Sequence, residues 1–424
     1  MSGARVARGD SVLNEEVIIR PYHPKQDREV VLSVFEEAGW REKEKKQDRA
    51  WRLYLRSVQS WIAAVDGRAE SVATTVLGTL RYLTEDLPFC AVTAVVTSRT
   101  ARKQGLASRV TARALAEAAA EGALVAGLGV FDQGFYNRLS FGSGSYEYWV
   151  TLDPARLLVD KIARMPKRIT SDDWRAVHAC RLSRMRQHGS CSLTLPVTSQ
   201  AEMLWIKDGF GLGFYEGSEL SHHLWASSEG EDGPYTVHWL AYRNYTQLLE
   251  LLSLIKGFAD QIMVVKMIEP PGVQIQDLLD RPFRQRSMSK AARHEYNIRA
   301  VAYWQMRILD LEACVRSVQI PVESVEFNLD LDDPIEQYLD RNVHWKGIAG
   351  QYILRLGQKS NCEQGSKSGL PTLNADVGAF TRLWLGVRSA SSLAATDNLS
   401  GPSELLLSLD EVLTLPTPKP DWDF

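Results

Sequence analysis

Residues 91–142 constrain the fold of this chain more tightly than any other stretch. An apolar run through Ala94, Val95 and Val96 gives way to a basic turn from Arg99 to Ala107, then to an Ala-rich segment closed by Gly122. In that segment Leu106, Val110, Ala114 and Ala118 recur every four residues, which places one buried stripe on a helix over 105–121. The following run, 124–128, is short and wholly apolar, as expected of a strand covered on both faces. An aromatic turn through Phe135, Tyr136, Leu139 and Phe141 completes the stretch. A glycine-bearing turn that opens a helix directly after a strand can hold a diphosphate, because the first helical N–H groups lack partners and the aligned peptide dipoles favour negative charge there.

The residues before it supply the rest of a mixed sheet. Residues 17–20 read as a strand, and 26–40 as a helix with Val30, Val31, Val34 and Phe35 on one side. A charged, solvated run over 41–49 leads into further helix at 51–58. The period then changes to two: 61–65, 72–80 and 88–96 read as consecutive strands of an antiparallel meander, with the first turn at Asp66-Gly67. The order β-α-β-β-β-α-β accounts for residues 17–150, after a tail of residues 1–16 expected to be mobile.

A second pass of similar shape is expected over 151–299. It comprises a helix at 170–188, hydrophobic alternation near 203–206, 211–215, 221–226 and 235–242, an amphipathic helix at 245–258 and a buried strand at 261–267. The turn before its helix, Arg243-Asn244-Tyr245-Thr246, has no glycine and no basic spacing. This unit is therefore read as one that has kept the scaffold and lost the phosphate loop. From residue 300 the pattern predicts a helix over 303–318, strands or an α+β unit at 320–331, 348–356 and from 404 onward, a flexible loop at 359–370, and a buried strand leading into a helix over 385–395. Residues 321–340 hold seven acidic side chains and no basic one, which reads as a solvated face.

A length of 424 residues argues for two or three domains. Forty-nine basic against 52 acidic residues leave a formal charge of −3, which argues against a nucleic-acid-binding surface. No early apolar run resembles a signal peptide, and nothing approaches the roughly 20 apolar residues of a membrane span. Cys90, Cys180, Cys191, Cys314 and Cys362 are scattered and odd in number, which fits reduced thiols in a cytoplasm. The histidines are equally dispersed, and the adjacent His222 and His223 would point apart in a strand, so no metal is expected.

Arg102-Lys103-Gln104-Gly105-Leu106-Ala107 fits the Arg/Gln-x-x-Gly-x-Gly/Ala pattern. Gly105 lets the backbone approach a ligand closely, N–H groups from Lys103 to Ala107 can converge on one diphosphate, Arg102 and Lys103 add charge, and small Ala107 keeps the helix near the sheet. Thirty-one positions beyond Gly105 stands Tyr136, a phenol that stays protonated at neutral pH and can donate to a departing thiolate. At the other end, Pro416, Pro418 and Pro420 alternate before Trp422 and Phe424, a stiff arm with two aromatic anchors.

In these features the chain resembles the GCN5-related N-acetyltransferases (GNAT), and among them the Eis-like (enhanced intracellular survival) branch. The resemblance spans nearly the whole length: the loop 102–107, the segment 135–142, the second repeat without its loop, and the terminal phenylalanine. It implies a mixed α/β, α+β architecture of two tandem GNAT domains, the second degenerate, followed by a sterol-carrier-like domain over 300–424 whose end reaches the active site. It also implies acetyl-CoA as co-substrate, with Val95, Val96 and Thr97 binding its pantetheine arm through the backbone and 102–107 its diphosphate. Tyr136 would then be the general acid and the α-carboxylate of Phe424 the base. An α-carboxyl titrates far below an ammonium, so unaided proton transfer would be uphill; burial narrows the gap. The family usually has glycine where Ser140 stands. Glu36, Glu37 and Trp40, at the end of the first helix, are candidates for the substrate pocket. Family members form hexamers and acetylate amines, including aminoglycosides and lysine side chains, so a homo-oligomer acting on an aminoglycoside, polyamine or lysine-type amine is expected, with direct attack in a ternary complex. The competing expectation is a non-catalytic protein that binds a lipid or acyl-CoA on the same scaffold.

Overall fold

The computed structural model describes residues 16–42, 44–130, 134–160, 164–280 and 296–424; of the expected tail, residues 1–15 lie outside the described residues. The first unit runs β1 (Val17–Pro21), α1 (Arg28–Glu37), α2 (Lys45–Ser57), β2 (Gln59–Val65), β3 (Arg68–Tyr82), β4 (Glu85–Thr97), α3 (Leu106–Ala120) and β5 (Val125–Gly129). Neighbouring strands from β1 to β4 are antiparallel, and α3 carries the chain back so that β5 lies parallel to β4. The middle of β3 (Ser71 to Val76) and of β4 (Phe89 to Val92) is buried on both faces, and the four-residue stripe Leu106, Val110, Ala114, Ala118 is buried as its spacing requires.

β6 (Gly142–Ser143) and β7 (Glu147–Leu152) follow, then β8 (Lys167–Ile169), α4 (Trp174–Leu182), β9 (Cys191–Leu193), α5 (Val197–Trp205), β10 (Gly209–Glu216), β11 (Glu219–Ser228), β12 (Tyr235–Ala241), α6 (Tyr245–Lys256) and β13 (Val265–Ile268). The sequence β8-β10-β11-β12 is antiparallel, and α6 returns the chain to a β13 parallel to β12. That repeats the order of β1 to β5. Even the irregularity recurs: the β3–β4 register shifts at Thr74/Thr75, opposite Thr93, and the β11–β12 register shifts at Trp225/Ala226, opposite His238. One-residue bulges at equivalent places bend the two central strands alike.

β14 (Asn297–Val301) joins the second sheet beside β7, whereas β15 (Trp304–Ile308) crosses to the first and lies between β5 and β6. β7 straddles residue 150, so the second sheet takes strands from both sides of the expected 150/151 division. The last part has α7 (Leu311–Arg316), β16 (Val325–Asp332), β17 (Gly350–Leu356), β18 (Asn361–Gln364), β19 (Thr372–Asp376), α8 (Val377–Trp384), α9 (Ala390–Thr396), β20 (Leu399–Ser400) and α10 (Ser403–Val412), with its own sheet in the order β18-β17-β16-β19-β20.

Four expectations are corrected. The helix predicted over 303–318 is strand β15 followed by the short α7. All five residues of Trp304–Ile308 are buried, so apolar spacing there carries no helical face to read. Residues 203–206 end helix α5 instead of forming a strand. The segment from 404 is helix α10, and the strand expected near 385–395 is the turn between α8 and α9. Arg307, in β15, is wholly buried and meets Asp333 Oδ2 at 2.7 Å while donating to the Leu139 carbonyl at 2.5 Å, which ties the last unit to the aromatic turn of the first.

Candidate active site

The site begins where β4 and β5 part. They pair from Phe89–Val125 to Val92–Leu128 and no further. β4 runs on to Thr97, paired with β3 on one side only, so the backbone of Val95, Val96 and Thr97 is open along its other edge. A bulge at Thr93 starts this divergence; the Thr93 hydroxyl lies 2.8 Å from that of Thr74 and accepts from Tyr54.

β4 leads into the basic turn. Lys103 and Gly105 both adopt left-handed backbone, with φ of 62° and 79°. Gly105 is the residue before α3, no side chain caps that helix, and a Cβ built at Gly105 would point into empty space. Glycine is favoured by the backbone there, and the space it leaves is outside the protein, where a ligand would lie. Arg102 and Lys103 are exposed beside it. An extended thioester arm fits the open edge of β4, and a diphosphate fits the uncapped donors of α3. The second unit provides the contrast. Asn244 caps α6 by accepting from the Gln247 N–H at 3.0 Å, and the Gln247 side chain accepts from the Arg243 N–H at 2.7 Å, so two of the donors around this helix start are already used within the chain.

Tyr136 opens a short turn of 3-10 helix after β5. It is buried against Phe135 and Phe141, with ring centroids 4.8 and 6.0 Å away, in the same apolar cluster as Val92, Val95 and Leu128. Ser140, in the place where glycine was expected, takes the left-handed conformation at φ 55° and closes the turn through its N–H to the Asn137 carbonyl at 3.0 Å. The backbone thus makes the glycine-type turn with a serine, at a cost of roughly 1–2 kcal/mol.

The chain end arrives from the last unit, after α10. The arm passes over β9 and α4: Ser145 donates to the Pro418 carbonyl at 2.5 Å, Cys191 N–H to that of Pro420 at 2.6 Å, and Arg184 to the carbonyl of Asp421 at 2.9 Å and its carboxylate at 2.8 Å. Trp422 is buried beneath the Arg181 guanidinium, 3.8 Å from its ring centre, and donates to Glu202 at 3.2 Å. Phe424 packs on Phe89, and its main-chain oxygen accepts from the Gly129 N–H at 3.2 Å, at the tip of β5. The Tyr303 hydroxyl donates to Asp423 and lies 3.4 Å from the same Phe424 oxygen.

Two cavities meet here. The smaller, about 170 Å³, is lined by Trp51, Tyr54, Thr93, Leu193, Thr198 and Phe424 among others. The larger, about 320 Å³, runs between β12, β13 and the arm and is rich in aromatic and acidic side chains. Glu202, Trp205 and Asp423 border both. A volume of this order holds a small organic ligand, and a wall of rings and carboxylates suits a cation.

Glu36, Glu37 and Trp40 are not among the residues lining these cavities. Glu37 accepts from the Arg99 N–H at 2.8 Å and its carbonyl accepts from the Arg99 guanidinium at 2.9 Å, fastening α1 to the basic turn. Glu36 pairs with Arg41, and the Trp40 carbonyl accepts from Trp51. Sequence reasoning missed Thr93, Gly129, Glu202 and Tyr303. Gly127 and Gly129 at a strand end were a usable signal of close backbone approach; Tyr303 was hidden by the helix predicted over it. All five cysteines are buried and free of disulfides. No described helix is long and apolar enough to cross a membrane, and among the described residues no group of His, Cys, Asp and Glu could hold a metal ion.

Comparison with known proteins agrees with this geometry. Residues 19–144 match the family model described as acetyltransferase (GNAT) domain. The chain carries a GNAT acetyltransferase domain. Residues 312–420 match the model for a sterol carrier protein domain. No curated protein is similar in sequence at a significant level. Among solved structures, a probable N-acyltransferase from Enterococcus faecalis superposes with a TM-score of 0.77 at 15% identity, covering 96% of this chain and 100% of that one. A GCN5-related N-acetyltransferase from Kribbella flavida gives 0.74 at 16%, covering 98% and 100%. Eis1 from Mycobacterium abscessus gives 0.73 at 15%, covering 96% and 100%. At these identities the likeness is one of fold, and it runs through the two GNAT-like sheets and the C-terminal unit alike. The acetyltransferase domain implies acetyl-CoA as co-substrate.

Proposed function

We propose that the chain transfers the acetyl group of acetyl-CoA directly to a primary amine, of aminoglycoside, polyamine or lysine type, in a ternary complex. In this reading residues 17–150 form the catalytic unit, 151–299 a GNAT-like unit without a cofactor loop, and 300–424 a sterol-carrier-like unit that sends its end back to the catalytic one. Val95, Val96 and Thr97 hold the pantetheine arm, and Arg102, Lys103, Gln104, Gly105, Leu106 and Ala107 the diphosphate. The amine nitrogen forms its bond to the acetyl carbon as the carbon–sulfur bond breaks. The α-carboxylate of Phe424 takes the proton lost by the amine, and Tyr136 gives a proton to the leaving thiolate. The carboxylate is a weak base, and its part in the reaction is as much to orient the amine as to remove its proton.

The observation that carries this reading is the seat of Phe424 on the Gly129 N–H, beside the open edge of β4 and against the acid-lined cavities. Its test is removal of Phe424. Turnover of amines, followed by CoA release, should fall by about 10³-fold or more, while calorimetric binding of acetyl-CoA persists. A truncated protein with wild-type turnover would exclude Phe424 from the chemistry.

A further inference from the structure

The larger cavity contains more carboxylates than one reacting amine needs, and all but one are engaged. Asp421 is held by Arg184 at 2.8 Å. Glu202 is paired with Arg181 and accepts from Trp422. Glu269 accepts from the Ile275 N–H at 3.0 Å and faces Lys419 at 3.7 Å. Asp423 accepts from Tyr303. Glu147, at the first position of β7, is 8% exposed and lines the cavity; its backbone pairs with Val301 in β14, but its carboxylate has no hydrogen bond or ion pair among the described residues.

A buried carboxylate without a partner is expensive, and a cation from outside the chain would relieve that cost. Burial first, then the nearby charges of Asp423 and Asp421, push the Glu147 carboxyl up to about 7, with Lys419 pulling it down. Burial and like charges make the neutral form easier to reach in the empty cavity, and a cation placed beside the carboxylate favours the charged form, because the ion pair replaces the solvation it lacks. The rings of Tyr148 and Trp149 on the same strand, and of Trp205 opposite, add faces that attract cations. Lys419 does not fill the role, since its ammonium sits toward Glu269, 5.7 Å from the Tyr148 ring centre.

We propose that Glu147 is the subsite for a second ammonium group of the acceptor, so that the favoured substrate carries two cationic centres, one reacting beside Phe424 and one held at Glu147. The inference rests on the acyl-transfer reading, since it assigns the near amine to that chemistry. It adds a specificity determinant on the second sheet, away from the cofactor loop. Other cationic molecules would compete for the subsite without being acetylated.

The test compares two probes of equal length, 1,6-diaminohexane and n-hexylamine, which differ only in the far ammonium. With the wild-type chain, kcat/KM should favour the diamine at least tenfold, chiefly through KM. In Glu147→Gln that preference should shrink by at least tenfold, and in Glu147→Asp, which keeps the charge, most of it should survive. A wild-type protein that treats the two amines alike overturns the proposal without any variant. So does a preference that Glu147→Gln leaves intact, or an equal loss on both amines. If neither amine is acetylated, the acyl-transfer reading for small amines fails, and calorimetry of the diamine in the absence of acetyl-CoA still decides this one: equal binding to wild type and Glu147→Gln overturns it, and loss of binding only in the variant supports it.

Discussion

Gly129→Ala isolates the placement of the chain end from everything else the end does. Gly129 ends β5 without positive φ, so alanine fits its backbone. In an unconstrained strand the exchange would raise stability by about 0.4–1 kcal/mol through the unfolded chain. Here the added methyl would stand 2.6 Å from the Phe424 oxygen and 2.7 Å from the Tyr303 hydroxyl, where ordinary contact begins near 3.4 Å. The chain end must therefore retreat by roughly 0.8 Å, and misplacement of a reacting group by about 1 Å costs on the order of 10²-fold in rate. We expect kcat to fall about 100-fold with a melting temperature close to that of the wild type, because the displaced groups are the last residue of the arm and the Tyr303 side chain. Steady-state CoA release with a saturating amine gives the rate, calorimetry gives the affinity for acetyl-CoA, and a melting curve gives the stability. A Gly129→Ala protein whose kcat lies within threefold of wild type would show that the position of Phe424 does not govern the reaction.

Two further outcomes follow from the same contacts. Tyr136→Phe should lower kcat by about 10²-fold at unchanged acetyl-CoA affinity, and a wild-type rate of CoA release would remove the phenol from the mechanism. Asp333→Ala leaves Arg307 charged and unpaired where both side chains are wholly buried, and it should cost about 3–5 kcal/mol in denaturant unfolding; a loss below about 1 kcal/mol would mean that the interior there admits water.

The first unit was legible because its strands are rich in β-branched residues between turn signals, so that β3 and β4 read as strands even where both faces are buried, and because α3 repeats every four residues between two apolar strands. The turn before α3 was legible for a different reason, since Gly105 takes a left-handed backbone that few other residues adopt. Where both faces of an element are covered the period vanishes, and β15 was read as helix for that reason. The α5 segment was mistaken because only its last turn, Met203 to Trp205, is densely apolar. The site was half legible. Residues close in sequence to the loop could be assigned from their spacing, but Thr93, Gly129, Glu147, Glu202 and Tyr303 come together only through contacts hundreds of positions apart, and a strand opening on a glutamate gives no sign that its carboxylate will be left without a partner.

One wall of the larger cavity comes from β12 and β13, the strands of the second unit that correspond to β4 and β5 of the first. In the proposed reading the second unit grips no nucleotide, which leaves it free to vary along that edge. Changes between Val237 and Pro271 can alter which amine is welcomed without touching residues 91–107, where acetyl-CoA would be held. If the proposed reaction holds, its two halves answer to separate selection: the donor side can stay fixed while the acceptor side drifts, and the tail that runs between them keeps each in register with the other.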